Sequence, residues 1–293
     1  MFGSSIRTRT HGRTRRTRGK IAALAVVAAS TLALVGVVGP AAATTTTTYR
    51  VDETSLVGSP ALAVNGRWTV VDQTGSGQLA FVDGPAAPPL GIGSLQLSVT
   101  ASSDKIDVFN YDWYTKPVGD LAAMSFWTYT GDTILAPAFQ IQAFLNDAGA
   151  NSHYTTINFE PYVMGAVTPN VWQQWTITGS TSMWATRLGT LPGSSAAPES
   201  WSAFKATYPN ATMIAVGFNA GSGASAFSAN ADALSITTTA GDTTVYNFEH
   251  AVILAGKTAC KDGGWQTSTS PVFLNQGACV SYFASDGKSM PNS

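Results

Sequence analysis

Apolar residues recur at every second position along much of this chain. Leu95, Leu97 and Val99 fall on one face of SLQLSVT; Phe139, Ile141 and Ala143 do so in AFQIQAF, and Ile214, Val216 and Phe218 in MIAVGFN. That period of two is the mark of half-buried strands. Further runs of this kind are RWTVV (67–71), QLAFV (78–82), KIDVFNY (105–111), AAMSFWTYT (122–130) and YTTINFEPYV (154–163). WQQWTIT (172–178), ADALSITT (231–238) and TTVYNFE (243–249) complete the set, and turns such as TGSG, TGD, NDAG and AGD separate several of them. About a dozen strands with one hydrophobic face each must pair into two stacked sheets or a closed barrel. One helix is predicted at ESWSAFKATYPN (199–210): Ser200 caps it, Trp201, Phe204 and Tyr208 lie at helical spacing, and Pro209-Asn210 stop it. The segment GPAAPPLGIG (84–93) reads as an extended linker, its prolines fixing the path into the strand that begins at Ser94.

The N-terminus changes the compartment. Residues 7–20 hold seven of the sixteen Lys and Arg, and an uncharged apolar run follows, closing on Ala41 and Ala43. Basic region, apolar region and A-x-A in that order predict an export signal over 1–43, with a retained membrane anchor as the alternative. A cut after Ala43 leaves nine basic against seventeen acidic residues, a formal charge of −8. An acidic surface repels phosphate backbones, which excludes nucleic acid as an expected partner. The threonines after the cut predict a flexible spacer over 44–50.

Export also settles how Cys260 and Cys279 read. Outside the membrane two cysteines pair, whereas a metal site needs more Cys or His nearby, and His153 and His250 make no such spacing with either thiol. A disulfide is therefore expected to close an appendage at 257–283. Gly263-Gly264 would turn its chain, and Trp265 and Phe273 would form a small apolar patch.

Several segments also resemble a family of secreted bacterial proteins. They are FVDGPAAPPLGIGSLQLSV (81–99), SDK (103–105), LAAMSFWTY (121–129), TTINFEPYV, VWQQWTI, VGFNAGSGASAFSANADALSI and TTVYNFE. Members look like concanavalin-type or carbohydrate-module-type jelly rolls without an established activity. The tail CKDGGWQTSTSPVFLNQGACV is similar to a closing motif, C-K-x-G-G-W…F-x-N-Q-G-x-C-V, of many secreted bacterial proteins. The resemblance implies an all-β, antiparallel two-sheet jelly-roll sandwich over 51–250 with one short helix, followed by the disulfide-closed appendage.

Catalytic signals are sparse. Hydrolysis on such a scaffold uses paired carboxylates, often alternating along one strand. Here Glu53, Glu160, Glu199 and Glu249 stand far apart, and of these Glu160 alone lies in a well-defined strand run. There is no G-x-S-x-G, nothing marks His153 or His250 as a base, and GSGAS (221–225) lacks the lysine of a phosphate loop. Jelly rolls often hold a structural calcium near their first and last strands, which singles out Asp52, Glu53 and Asp232; the plainer reading has Asp232 capping a turn. Sugar faces stack aromatic rings on pyranoses beside polar groups. Tyr111, Trp113 and Tyr114 in NYDWYTK, with Asn146 and Asp147 as polar partners, are the candidate ligand site, core packing being the alternative for the rings. Trp127, Trp172 and Trp175 are assigned to the core. The expected function is non-catalytic binding of an extracellular or cell-wall carbohydrate. A glycan-active hydrolase or lyase and a surface structural protein are the alternatives.

Overall fold

A computed structural model describes residues 43–221 and 223–289; apart from Ala43, the expected export signal lies outside the described residues. The strands run β1 (Thr46–Val51), β2 (Trp68–Thr74), β3 (Gln78–Asp83), β4 (Gly93–Val99), β5 (Lys105–Asn110) and β6 (Leu121–Thr130). Next come β7 (Ala138–Phe144), β8 (Tyr154–Phe159), a helical turn α1 (Pro161–Met164), β9 (Gln173–Ile177) and β10 (Ser182–Ala185). The short pairs β11 (Arg187–Leu188), β12 (Leu191–Pro192) and β13 (Glu199–Ser200) lead into α2 (Trp201–Thr207). Then follow β14 (Thr212–Gly221), β15 (Phe227–Thr238), β16 (Thr243–Phe248) and α3 (Gln276–Ala284).

Among the described residues the strands form two sheets of seven strands each, with β11 and β12 as a separate pair. In the first sheet β15 is the axis. Along one edge it pairs with β6, which carries β9; along the other it pairs first with β4 through Phe227–Ala231 and then with β16 through Leu234–Thr237. The second sheet has the order β13-β10-β8-β7-β14-β5-β2. Aromatic residues from the two inner faces interlock between the sheets. Phe126 of β6 meets Phe139 and Phe218, and Trp68 of β2 packs edge-on against Tyr246 and Phe248 with centroids 5.4 and 5.0 Å away.

The helix expected over 199–210 is α2: Ser200 Oγ accepts from the Ala203 amide, and Trp201 and Phe204 are buried. The expected spacer over 44–50 is largely a strand instead. β1 pairs in parallel with β16 from Thr46↔Thr243 to Val51↔Phe248, a parallel pair in an otherwise antiparallel sheet. β-branched threonines suit an extended backbone, so a sheet edge with free main-chain groups captures them. Thr45 fixes the entry, its amide and hydroxyl donating to Asp242 Oδ1 at 2.9 and 2.7 Å.

Cys260 and Cys279 form the expected disulfide, with Cα atoms 5.8 Å apart. Phe273 is buried beside it and Trp265 packs against the same cluster, as the sequence suggests. α3 was not expected; Asn275 Oδ1 caps it by accepting from the Ala278 amide at 2.8 Å. Among the described residues no helix is long and apolar enough to cross a membrane.

Candidate functional site

Each strand of the second sheet that buries one face in the core turns its alternate residues outward. β8 buries Ile157 and Phe159 and turns out Tyr154, Thr156 and Asn158, with Glu160 continuing the line. β7 buries Phe139 and Ile141 and turns out Gln140 and Gln142. These residues, with Asp72, Lys105, Asp107, Asn219, Tyr162 and Trp184, line an open groove of about 580 Å³.

The register fixes which side chains are neighbours. One row across the sheet runs Phe109, Gly217, Gln140, Asn158, Trp184. Gln140 Nε2 donates to Asn158 Oδ1 at 2.7 Å, so the two amides form one hydrogen-bonded ledge. Gly217 keeps the floor low beside it: a Cβ there would stand 2.7 Å from the Phe109 ring and 2.0 Å from the Val108 carbonyl. At the far end the Trp184 indole donates to Glu160 Oε2 at 2.9 Å, and Tyr162 lines the groove with the same carboxylate.

The next row carries the charges. Lys105 Nζ stands 2.6 Å from Asp107 Oδ2 and 3.2 Å from Asp72 Oδ2, so one ammonium bridges two carboxylates. Asn219 Nδ2 donates to Asp107 Oδ1. Burial pushes the Asp107 carboxyl above its usual range, outweighing the bonds from Lys105 and Asn219. Hydrogen bonds from Thr74 and Lys105 pull the more exposed Asp72 down. Burial acts to lower Lys105, but its bonds to Asp107 and Asp72 prevail and hold the ammonium above its ordinary value.

This arrangement bears on hydrolysis. Asp107 pairs with Asn219, Asn219 with Ala138, and one step beyond Phe139↔Phe159 Ala138 faces Glu160. Three strand spacings of about 4.8 Å place the backbones of Asp107 and Glu160 roughly 14 Å apart. Two-carboxylate glycoside hydrolysis sets the carboxyl groups themselves about 5–9.5 Å apart, so both side chains would have to lean toward each other. Glu160 moreover bonds Trp184, one strand farther from Asp107. The closer pair, Asp72 and Asp107, has Lys105 between them.

The residues singled out from NYDWYTK lie elsewhere. Trp113 is a core residue, 3 % exposed, its indole donating to Tyr246 Oη at 3.1 Å, which leaves no open ring face for a sugar. Tyr111 is buried with Phe109 and Ala215 on the same sheet face as the groove but does not line it, and Tyr114 is half-buried. Asn146 Nδ2 donates to the Asn210 carbonyl and Thr212 Oγ1 and so ties its turn to the start of β14, while Asp147 accepts from Ser152 and pairs with His153 Nδ1 at 2.7 Å, holding the turn itself together. Of the three tryptophans assigned to the core, Trp175 is there. Trp127 is half-buried and lies on the outer face of β6, and the half-buried Trp172 donates to the Pro85 carbonyl.

The acids expected to share a calcium are engaged separately. Asp52 Oδ1 accepts from the Thr54 amide and hydroxyl, and Glu53 pairs with His250 Nδ1 and the Ala251 amide. Asp232 accepts from the Phe248 and Leu90 amides, closer to the plain backbone-bonding role. Among the described residues no group of three or more His, Cys, Asp or Glu could hold a metal ion.

Apolar periodicity singles out the buried half of each alternation and passes over the groove residues. The signal was present in its other half: FQIQ and YTTINFE place amides, a hydroxyl, a ring and a carboxylate on consecutive outward positions. Compared with protein-family models, with curated proteins and with solved structures, the chain matches none.

Proposed function

We propose that the protein is an exported, non-catalytic binder of a neutral extracellular or cell-wall glycan, and that the groove on the second sheet is its site. The observation that carries this reading is the outward pair Gln140 and Gln142 in one groove with Trp184, Tyr154 and Tyr162; Asn158, 2 % exposed and bonded to Gln140 and to the Thr156 and Trp184 carbonyls, braces that row. Amides match sugar hydroxyls as both donors and acceptors, and aromatic rings match the apolar faces of pyranoses. The groove volume is that of a small-molecule site. Three carboxylates against one ammonium disfavour an anionic ligand such as a polyuronate. The export reading rests on the basic-then-apolar N-terminus, and the paired cysteines are consistent with it.

A glycan-cleaving enzyme is the second reading, favoured by the opposite shifts of Asp72 and Asp107, which resemble the splitting of an acid and a base. Lys105 counts against it, because a bridging ammonium neutralises the pair that would have to act. A glycan array probed with the purified protein tests both. The binding reading expects retention of neutral oligosaccharides, no release of new reducing ends, and at least a tenfold loss with Trp184→Ala. Cleavage products would establish the enzyme instead, and unchanged binding by the variant would move the site away from the groove.

A further inference from the structure

Where β7 begins and β14 ends, the groove opens into a small recess of about 40 Å³. Leu135, Ala138, Ala220 and Phe227 line it with apolar surface, while Glu160, Tyr162 and Asn219 belong to recess and groove alike. Apolar and polar groups thus share the recess about equally. A space of that size is more than the roughly 10–15 Å³ that one water needs, so a methyl group fits it. Ala138, the register partner of Asn219, stands in its wall, where a longer side chain would narrow it.

The mouth supplies both halves of an amide's hydrogen bonding. Glu160 presents carboxylate oxygens that accept, held in place by the Trp184 indole. Asn219 has two N–H donors in its side-chain amide. One is given to Asp107, which fixes the amide and leaves the other for a ligand carbonyl. An acetamido substituent has these three parts in one group: an N–H for Glu160, a C=O for Asn219 and a methyl for the recess. A sugar hydroxyl would leave the apolar walls unfilled, and a free amine would meet Glu160 but bring nothing to the recess.

We propose that the recess is an acetamido subsite, so that the groove selects glycans containing N-acetylated hexosamine. This deepens the glycan-binding reading and rests on it. The test is calorimetric titration of the purified protein with three β-1,4-linked tetrasaccharides: the N-acetylglucosamine tetramer, its de-N-acetylated counterpart and the glucose tetramer. A methyl-sized group in an apolar pocket discriminates by about tenfold or more. The acetylated tetramer is expected to bind at least tenfold tighter than the other two. Ala136→Leu and Ala138→Leu, which narrow the recess, are expected to bring its affinity down to that of the glucose tetramer and leave the glucose tetramer unaffected. Ala136 is half-buried and lines the recess, so its variant is the safer one for folding. Equal affinity for the glucose and acetylated tetramers overturns the subsite and leaves the groove reading standing, as does tighter binding of the amine form. Binding of none of the three, together with an empty neutral-glycan array, overturns the groove reading and the subsite with it.

Discussion

Asp232 stands in β15 where its partner strand changes from β4 to β16, and its carboxylate joins what the fork separates. Oδ1 accepts from the Phe248 amide at 3.0 Å, and Oδ2 accepts from the Leu90 amide at 3.2 Å. Burial raises its pKa to about 7 in spite of these bonds. A carboxyl raised by folding is protonated in the native state over a range where the unfolded chain has already lost the proton. Its contribution is fully favourable below the ordinary carboxylate pKa, falls as pH rises to about 7, and is flat above that. The slope of one such group is at most about 1.4 kcal/mol per pH unit. Asp107 and Asp112, also raised chiefly by burial, slope the same way, so the contribution of Asp232 is read as a difference between proteins. Urea unfolding at pH 5 and pH 8 is expected to show Asp232→Asn losing part of the stability difference that the parent shows. An unchanged difference would mean that Asp232 is not the titrating group.

Two elements depend on close local fits. The Pro- and Gly-rich segment 84–93, expected to be a linker, is fastened down: the Ile92 and Gly93 amides donate to Glu249 Oε2 and the Leu90 amide to Asp232. Gly91 has φ +63°, and a Cβ there would lie 1.4 Å from Glu249 Oε1. Gly91→Ala is expected to cost about 1–3 kcal/mol, seen as a lower melting temperature. Gly58→Ala serves as the control, since no atom lies within 4 Å of its added Cβ and its φ is not in the left-handed region. The appendage depends on its disulfide, whose closure of the chain contributes about 3 kcal/mol. Replacing Cys260 and Cys279 with Ser is expected to expose amides of α3 to rapid hydrogen exchange while β14 and β15 stay protected. Equal loss of protection in both would show that the appendage and sandwich unfold together.

Strands were legible wherever burial leaves a period of two, as in β4 and β7, and α2 was legible from Ser200 and its ring spacing; in β14 a bulge between Met213 and Ala215 takes Ile214 off the face of Val216 and Phe218 to pack beside Phe109 and Tyr111. β1 was not, because a run of threonines has no apolar alternation and its order comes from the edge of β16. α3 was not, because the disulfide and Phe273 organise a segment with little amphipathic pattern of its own. Trp113 misled for a related reason: a ring in a polar stretch reads as exposed, and only the packing of β16 against it supplies the Tyr246 partner that buries it. The groove lay in plain sequence but across strands, and the register that unites Gln140, Asn158 and Trp184 is a property of the sheet.

At the scale of the whole molecule, one sheet's inner face makes the core while its outer face offers polar and aromatic groups held by main-chain pairing. Binding at such a face needs no large rearrangement, because its rows are fixed by the same ladder that stabilises the fold. The outer face of the first sheet carries a rival aromatic group, Trp127, Tyr129 and Trp172, with Tyr129 and Trp172 centroids 5.7 Å apart. The measurement that separates the two faces is an NMR titration of labelled protein with neutral oligosaccharides, following side-chain amide and indole N–H signals. Gln140, Asn158 and Trp184 are expected to shift together and saturate along one binding curve. Shifts confined to Trp127 and Trp172, or no shift with any neutral glycan, would contradict a site in the groove.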